Sequence, residues 1–210
     1  MQTKMSLPLE SRYFPSESKL RLSAQKRAII DWAEVDDHHA ILDAGCTDSS
    51  LLTYYIRHFR IRACGMVTDN SRGKIIKDEL GNQAEILNAD RLDIPWRDSS
   101  FHSVFIAFPL RNHPETGLFL KEILRVLKNQ GQLLISTPCI PLLTQLGIKV
   151  GSRQDSYILT DPYQLMRLLD SCGFSDISMR ISRLNYATVT ARKNISCNEG
   201  IPAVTANRNA

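Results

Sequence analysis

Two aspartates carry the chemistry that is easiest to read. Asp69 ends the run IRACGMVTD and Asp90 ends AEILNAD, so each carboxylate stands at the C-terminal tip of a short stretch with strand character. Carboxylates accept hydrogen bonds from hydroxyl and amine donors. A pair at neighbouring strand tips suits a ligand that offers both, such as a nucleoside, and the alternative is that each merely caps the turn or helix that follows. A third tip reads Asp43-Ala44-Gly45-Cys46-Thr47-Asp48-Ser49. A fourth, Ala107-Phe108-Pro109-Leu110-Arg111-Asn112-His113, ends in the one histidine of its loop. With an unperturbed pKa of about 6.5, His113 is a candidate general base; the alternative is that Arg111, Asn112 and His113 cap a helix starting near Pro114.

The elements that must position these groups follow from periodicity. AILDAG (40–45), 61–69, 84–90, 101–108 and 131–137 read as strands, the first buried and the fourth rich in β-branched and aromatic residues. Helical spacing occupies about 18–34, 50–59 with Ser49 or Ser50 as N-cap, 71–80 with Ser71 as cap, and 115–128. In the last of these, Leu120, Ile123, Leu124 and Leu127 form one apolar stripe. Thr160 and Asp161–Pro162 open a further helix, closed by Gly173, and SDISMRIS and NYATVTARK read as an antiparallel final pair. Strands alternating with helices imply right-handed β-α-β units in a mostly parallel sheet covered on both faces. Ligands of such sheets bind at the carboxyl ends of the strands. The expected organisation is an arm over 1–17, one domain over 18–193 and a frayed tail over 194–210.

Composition narrows the class. Apolar residues make up 43% and charged residues 23% of 210, typical of a globular domain. The longest apolar run, 104–110, is far short of the roughly 20 residues of a membrane span. Five scattered cysteines without C-x-x-C, and a start without an apolar signal region, suggest a reduced, cytoplasmic protein. The net charge of +4 is concentrated near the N-terminus, where Lys4, Arg12, Lys19, Arg21, Lys26 and Arg27 face only Glu10 and Glu17. This reads as a solvated arm and helix face or as a surface for phosphates; no run of five Lys/Arg marks a nucleic-acid patch. His38–His39 lacks further ligands at zinc spacing, so no metal is expected. The P-loop, nucleophile-elbow and G-x-G-x-x-G patterns are absent.

In order, the stretch from ILDAGC to LLISTP resembles the core of class I S-adenosylmethionine-dependent methyltransferases, in the small-molecule, ubiquinone/menaquinone-type branch. DRLDIPWRDSSFHSV (90–104) and FLKEILRVLKNQGQLLIS (119–136) carry the resemblance. It implies a Rossmann-like α/β three-layer sandwich with a seven-stranded, mostly parallel sheet and an antiparallel final strand pair. It also implies S-adenosylmethionine as cofactor. Gly45, with Cys46 and Thr47 beside it, would let the backbone approach the methionyl part, and Asp43 would orient that turn or reach the amino group. Asp69 would accept from the ribose hydroxyls and Asn70 would lie against the adenine. Asp90 would accept from the adenine amine, the Arg91 backbone would meet a ring nitrogen, and Ala107 would lie beside the sulfonium.

The chain departs from the family at one loop. Where relatives read G-C-G-T-G, it has Gly45-Cys46-Thr47-Asp48-Ser49. A lost glycine costs about 1 kcal/mol or more where the backbone is left-handed, so restoring glycines at Thr47 and Ser49 is expected to tighten cofactor binding. Asp48 would repel a methionyl carboxylate and attract an ammonium. The expected function is methyl transfer to a small, apolar or aromatic acceptor. The alternatives are a catalytically silent methyltransferase-like binding module and an RNA methyltransferase using the basic N-terminal region. His102, where relatives place Asp, reads as a partly solvated strand residue. Leu142, Leu143, Leu146, Ile148 and Tyr157 would line an acceptor lid or pack as core, and Tyr13 and Phe14 would close the same pocket.

Overall fold

The structure, a computed structural model, describes residues 20–138, 161–181 and 186–194. The expectations for the arm, for 139–158 and for the tail beyond Asn194 lie outside the described residues.

Strand β1 (Ala40–Asp43) is central. Parallel to it run β2 (Arg62–Val67) and β3 (Ala84–Asn88) on one side, and β4 (Phe101–Ile106) and β5 (Leu127–Pro138) on the other. Then β7 (Tyr186–Lys193) pairs antiparallel with β5, and β6 (Phe174–Ile181) antiparallel with β7. The order β3-β2-β1-β4-β5-β7-β6 is the seven-stranded, mostly parallel sheet expected from the sequence. The strand order reverses between β1 and β4, where such sheets open a crevice.

Helices cover both faces, completing three layers. Helices α1 (Ala24–Ile30), α2 (Ser50–His58) and α3 (Asn70–Leu80) contribute Ile29, Leu51, Leu52, Tyr55, Ile76 and Leu80 to one core, into which Ile41 and Phe105 point from the sheet. Helices α4 (Pro114–Val126) and α5 (Pro162–Ser171) contribute Phe119, Leu120, Ile123, Leu165 and Leu169 to the other, with Leu42, Val104 and Ile106. The period-2 alternation of β1 and β4 thus divides their apolar residues between two cores.

Four helix boundaries differ from the sequence reading. The helix expected over about 18–34 is confined to Ala24–Ile30, where the Ser23 side chain caps it through the Lys26 amide. The 71–80 helix begins at Asn70 and is capped by Asp69, not Ser71, because the Asp69 carboxylate accepts from the Ser71 and Arg72 amides. Helix α4 ends at Val126: Leu127 is extended and pairs with Phe101, so β5 starts four residues early, with a register shift before Gln132. In α2 the Ser49 side chain makes no cap bond; the Asp48 carboxylate accepts from the Ser50 amide at 2.9 Å instead.

The 89–100 connection is held from beneath. Arg125 of α4 donates to Glu122 and Asp98 at 2.8–2.9 Å and to the carbonyls of Ile94 and Trp96 at 2.9 Å. Charge-assisted, forked bonds of this kind fix geometry. Asp90 and Arg91 therefore project from an anchored loop.

Candidate functional site

At the tip of β1, Asp43 is 1% exposed, and neither carboxylate oxygen has a hydrogen-bond partner among the described residues. Burial raises its pKa to about 6, against the opposing positive charge of Lys26 and nearby donors at Cys46 and Gly45. A carboxylate buried without a partner is costly. Its presence at a strand tip marks a position that favours a donor or cation from a ligand.

Lys26 is the residue that the sequence reading missed. Its place among the basic residues near the N-terminus suggests a solvated face or a phosphate surface, yet it is 2% exposed. Its ammonium donates to Asp48 Oδ1 at 2.6 Å and to Ser50 Oγ at 3.0 Å. The signal lies in the spacing: Lys26 stands three residues before Ile29, on the buried face of α1. Burial pushes the Asp48 carboxyl up, but the hydrogen bonds from Lys26 and Ser50 outweigh this and hold it below the usual range. The added negative charge of the loop is thus already paired.

The expected strain of the missing glycines is not found. Among the described residues, positive φ outside glycine occurs at His38, Ser99, Gln130 and Asp176, so none of Cys46, Thr47, Asp48 and Ser49 is left-handed. The loop is tied down by the Cys46 amide on Met66 O (2.9 Å) and the Cys46 thiol on Asp48 O (3.3 Å). Burial pushes that thiol well above its ordinary pKa, so it stays protonated. Thr47 is exposed. Gly45 is needed for a neighbour within the protein: a Cβ there would overlap the Phe108 ring.

At the tips of β2 and β3, Val67 pairs with Asn88, so Asp69 and Asp90 each stand two residues beyond a paired position. Asp69 spends Oδ1 on the α3 cap, and Asp90 spends Oδ1 on the Leu92 amide at 2.9 Å. The capping alternative therefore holds for one oxygen of each. Asn70 Oδ1 accepts from Asn88 Nδ2 at 2.6 Å and joins the two tips. Ala107 is half-buried beyond β4.

A cleft of about 1150 Å³ opens between the loop after β3 and the start of α4. Thr68, Asn88, Asp90 and Arg91 form one wall, and Arg111 and His113 belong to the other; Asp69 is next to this lining but not in it. The Arg91 guanidinium lies 4.3 Å from the centroid of the Phe108 ring, which is buried beside Phe119. His113 is the N-cap of α4: Nδ1 accepts from the Glu115 amide at 3.3 Å. A nitrogen that accepts an N–H carries no proton, so the neutral ring bears its hydrogen on Nε2 and presents a donor. The capping alternative for His113 is realised, and the lone pair needed for a base is occupied.

Residues 42–135 match the family described as a methyltransferase domain. The chain is 28% identical over 180 residues to a demethylmenaquinone methyltransferase of Paenarthrobacter aurescens, covering 74% of this chain and 70% of that protein. It is 37% identical over 122 residues to the protein of the same description from Staphylococcus haemolyticus, covering 47% of this chain and 51% of that one. The chain thus spans about half the length of this second relative. Among solved structures, a SAM-dependent methyltransferase from Aquifex aeolicus superposes with a TM-score of 0.66 at 16% identity, over 84% of this chain and 93% of that one. The [4+2]-cyclase SpnF superposes at 0.67 and 17% identity, over 81% and 80%. At such identities the structural likeness shows the fold alone. Fold, family match and curated relatives point the same way: the chain is similar to S-adenosylmethionine-dependent methyltransferases, and the curated relatives are described as demethylmenaquinone methyltransferases.

Proposed function

We propose that this chain binds S-adenosylmethionine across the tips of β1, β2 and β3 and methylates a small molecule seated in the cleft beside α4. The unpartnered buried carboxylate of Asp43, next to the buried ammonium of Lys26, carries the reading. Together they offer an anion and a cation to a group that is itself zwitterionic, such as the amino-acid end of the cofactor. Asp43 takes the ammonium. Lys26 takes the carboxylate, exchanging Asp48, whose side chain is 57% exposed and returns to water. The free oxygens of Asp69 and Asp90 receive the ribose hydroxyls and the adenine amine, and Ala107 and Asn70 flank them.

When bound, the cofactor would supply an activated methyl group on a sulfonium, suited to in-line displacement by the acceptor. The protein's part is alignment and exclusion of water. His113, with Nδ1 held by the α4 cap, orients the acceptor through its Nε2 hydrogen; the acceptor proton leaves to solvent.

Titration calorimetry tests the reading with S-adenosylhomocysteine and with 5′-methylthioadenosine, which lacks the amino-acid end. The wild-type chain should bind the first about tenfold or more tightly than the second. Asp43→Asn and Lys26→Gln should each shrink that preference. Equal affinity for the two nucleosides, or no heat from either, overturns the assignment.

A further inference from the structure

Arg62, Arg125 and Arg192 are each tied to a carboxylate at 2.7–2.8 Å. Arg91 and Arg111, which line the cleft from opposite walls, form no ion pair among the described residues. Two acids, Asp90 and Glu115, share the lining, but neither is at ion-pair distance from these guanidinium groups. Asp90 turns one oxygen to the Leu92 amide, and Glu115 lies 3.5 Å from the His113 ring. Arg91 is half-buried, with its Nε unpartnered and its guanidinium over the Phe108 ring. The Thr116 hydroxyl donates to the Arg111 carbonyl at 2.6 Å, which fixes the backbone from which the second guanidinium projects. Burial, and then the like charge of Arg111, lower the Arg91 pKa, and the attraction of Asp90 is the smaller influence. Two guanidinium groups thus face a shared cavity without a carboxylate at ion-pair distance among the described residues, and each keeps donors open to an anionic ligand. Their planar forks match carboxylate and phosphate oxygens. Leu92, Leu110 and Phe119 supply apolar lining beside them.

We infer that Arg91 and Arg111 together read an oxyanion on the methyl acceptor, so that the acceptor class is a flat apolar body bearing a carboxylate or a phosphate. This rests on the methyltransferase reading of the cleft and adds its substrate class. Arg91 contributes the buried half of the receptor and Arg111 the exposed half, and the cofactor's nucleoside is left to the backbone and the aspartates. Pockets for small ligands run to roughly 300–1000 Å³, so a cleft of about 1150 Å³ has room for an acceptor beside a nucleoside.

The test is calorimetry on the full chain, with and without S-adenosylhomocysteine, using 2-naphthoate, 2-naphthyl phosphate and the neutral isostere 2-naphthamide. One anion, or both, should bind at least about tenfold more tightly than the amide, and which anion does so distinguishes carboxylate from phosphate. Arg111→Gln and Arg91→Gln should each bring the preference close to one, and Arg111→Lys, which keeps charge but not the fork, should retain part of it. Unchanged S-adenosylhomocysteine affinity in Arg111→Gln serves as the control for folding. Amide binding as tight as both anions, or a preference that survives both Gln variants, overturns the inference. Should S-adenosylhomocysteine fail to bind while the anion preference stands, the methyltransferase reading falls and the oxyanion site remains.

Discussion

Lys26 Nζ lies 2.6 Å from Asp48 Oδ1, with the lysine side chain 3% exposed and the aspartate 57%. A buried ammonium depends on its partner, whereas a half-exposed carboxylate does not. Asp48→Ala should therefore leave Lys26 with Ser50 as its remaining close side-chain partner and cost about 3 kcal/mol in urea unfolding. Lys26→Met, which removes the buried charge and keeps the stem, should be close to neutral in stability yet weaken S-adenosylhomocysteine binding. Equal stability losses from the two variants would contradict the asymmetry.

Asp43 makes the opposite kind of contribution. Its folded pKa of about 6 lies above the ordinary 3.8, so the folded chain holds the proton more tightly than the unfolded one. Its contribution is present in full below about pH 4 and is lost as pH rises through 6. At neutral pH the lost stability is on the order of 3 kcal/mol at most. Asp43→Asn should stabilise the chain, with a gain that grows between pH 4 and 7, and should also weaken binding of the amino-acid end of the cofactor. A pH-independent gain in urea midpoints would show that the carboxylate is solvated.

The loop that replaces the family's glycines should not tolerate their return. Because residues 46–49 keep negative φ, glycine relieves nothing and only frees the unfolded chain. Thr47→Gly with Ser49→Gly should lose about 1–2 kcal/mol and gain no affinity for S-adenosylhomocysteine. Tighter binding in calorimetry would restore strain as the explanation.

His102 is an acid-sensitive point on the far end of the sheet. Its ring stacks on His39 at 4.4 Å, Nδ1 accepts from the Ala40 amide at 2.9 Å, and Nε2 faces Lys128 Nζ at 3.1 Å. Burial, Lys128 and His39 lower its pKa. The unfolded chain thus takes up the proton first, and stability present above the ordinary 6.5 is lost as pH falls below it. His102→Gln should flatten the decline of the urea midpoint between pH 7 and 5; an unchanged slope assigns the decline to another group.

The element order, the strand tips and the likeness to methyltransferases were legible in the linear chain, because buried strands, capping residues and turns are short-range patterns. Asp43, Asp69 and Asp90 could be placed at strand tips for that reason, down to the capping alternative that one oxygen of Asp69 and of Asp90 fulfils. Other features come from pairings between distant segments. Lys26 reaches Asp48 because α1 packs across the sheet, which turns a residue that looks solvated into a buried charge. Phe108 lies over Gly45 and beneath Arg91, three residues from three different loops, so the need for glycine at 45 is steric. Arg91 and Arg111 become neighbours when β3 and α4 are brought to the same crevice. Periodicity reports which face of an element is apolar, but the charge and space at a site are sums over elements, and only the packed sheet decides which groups are added together.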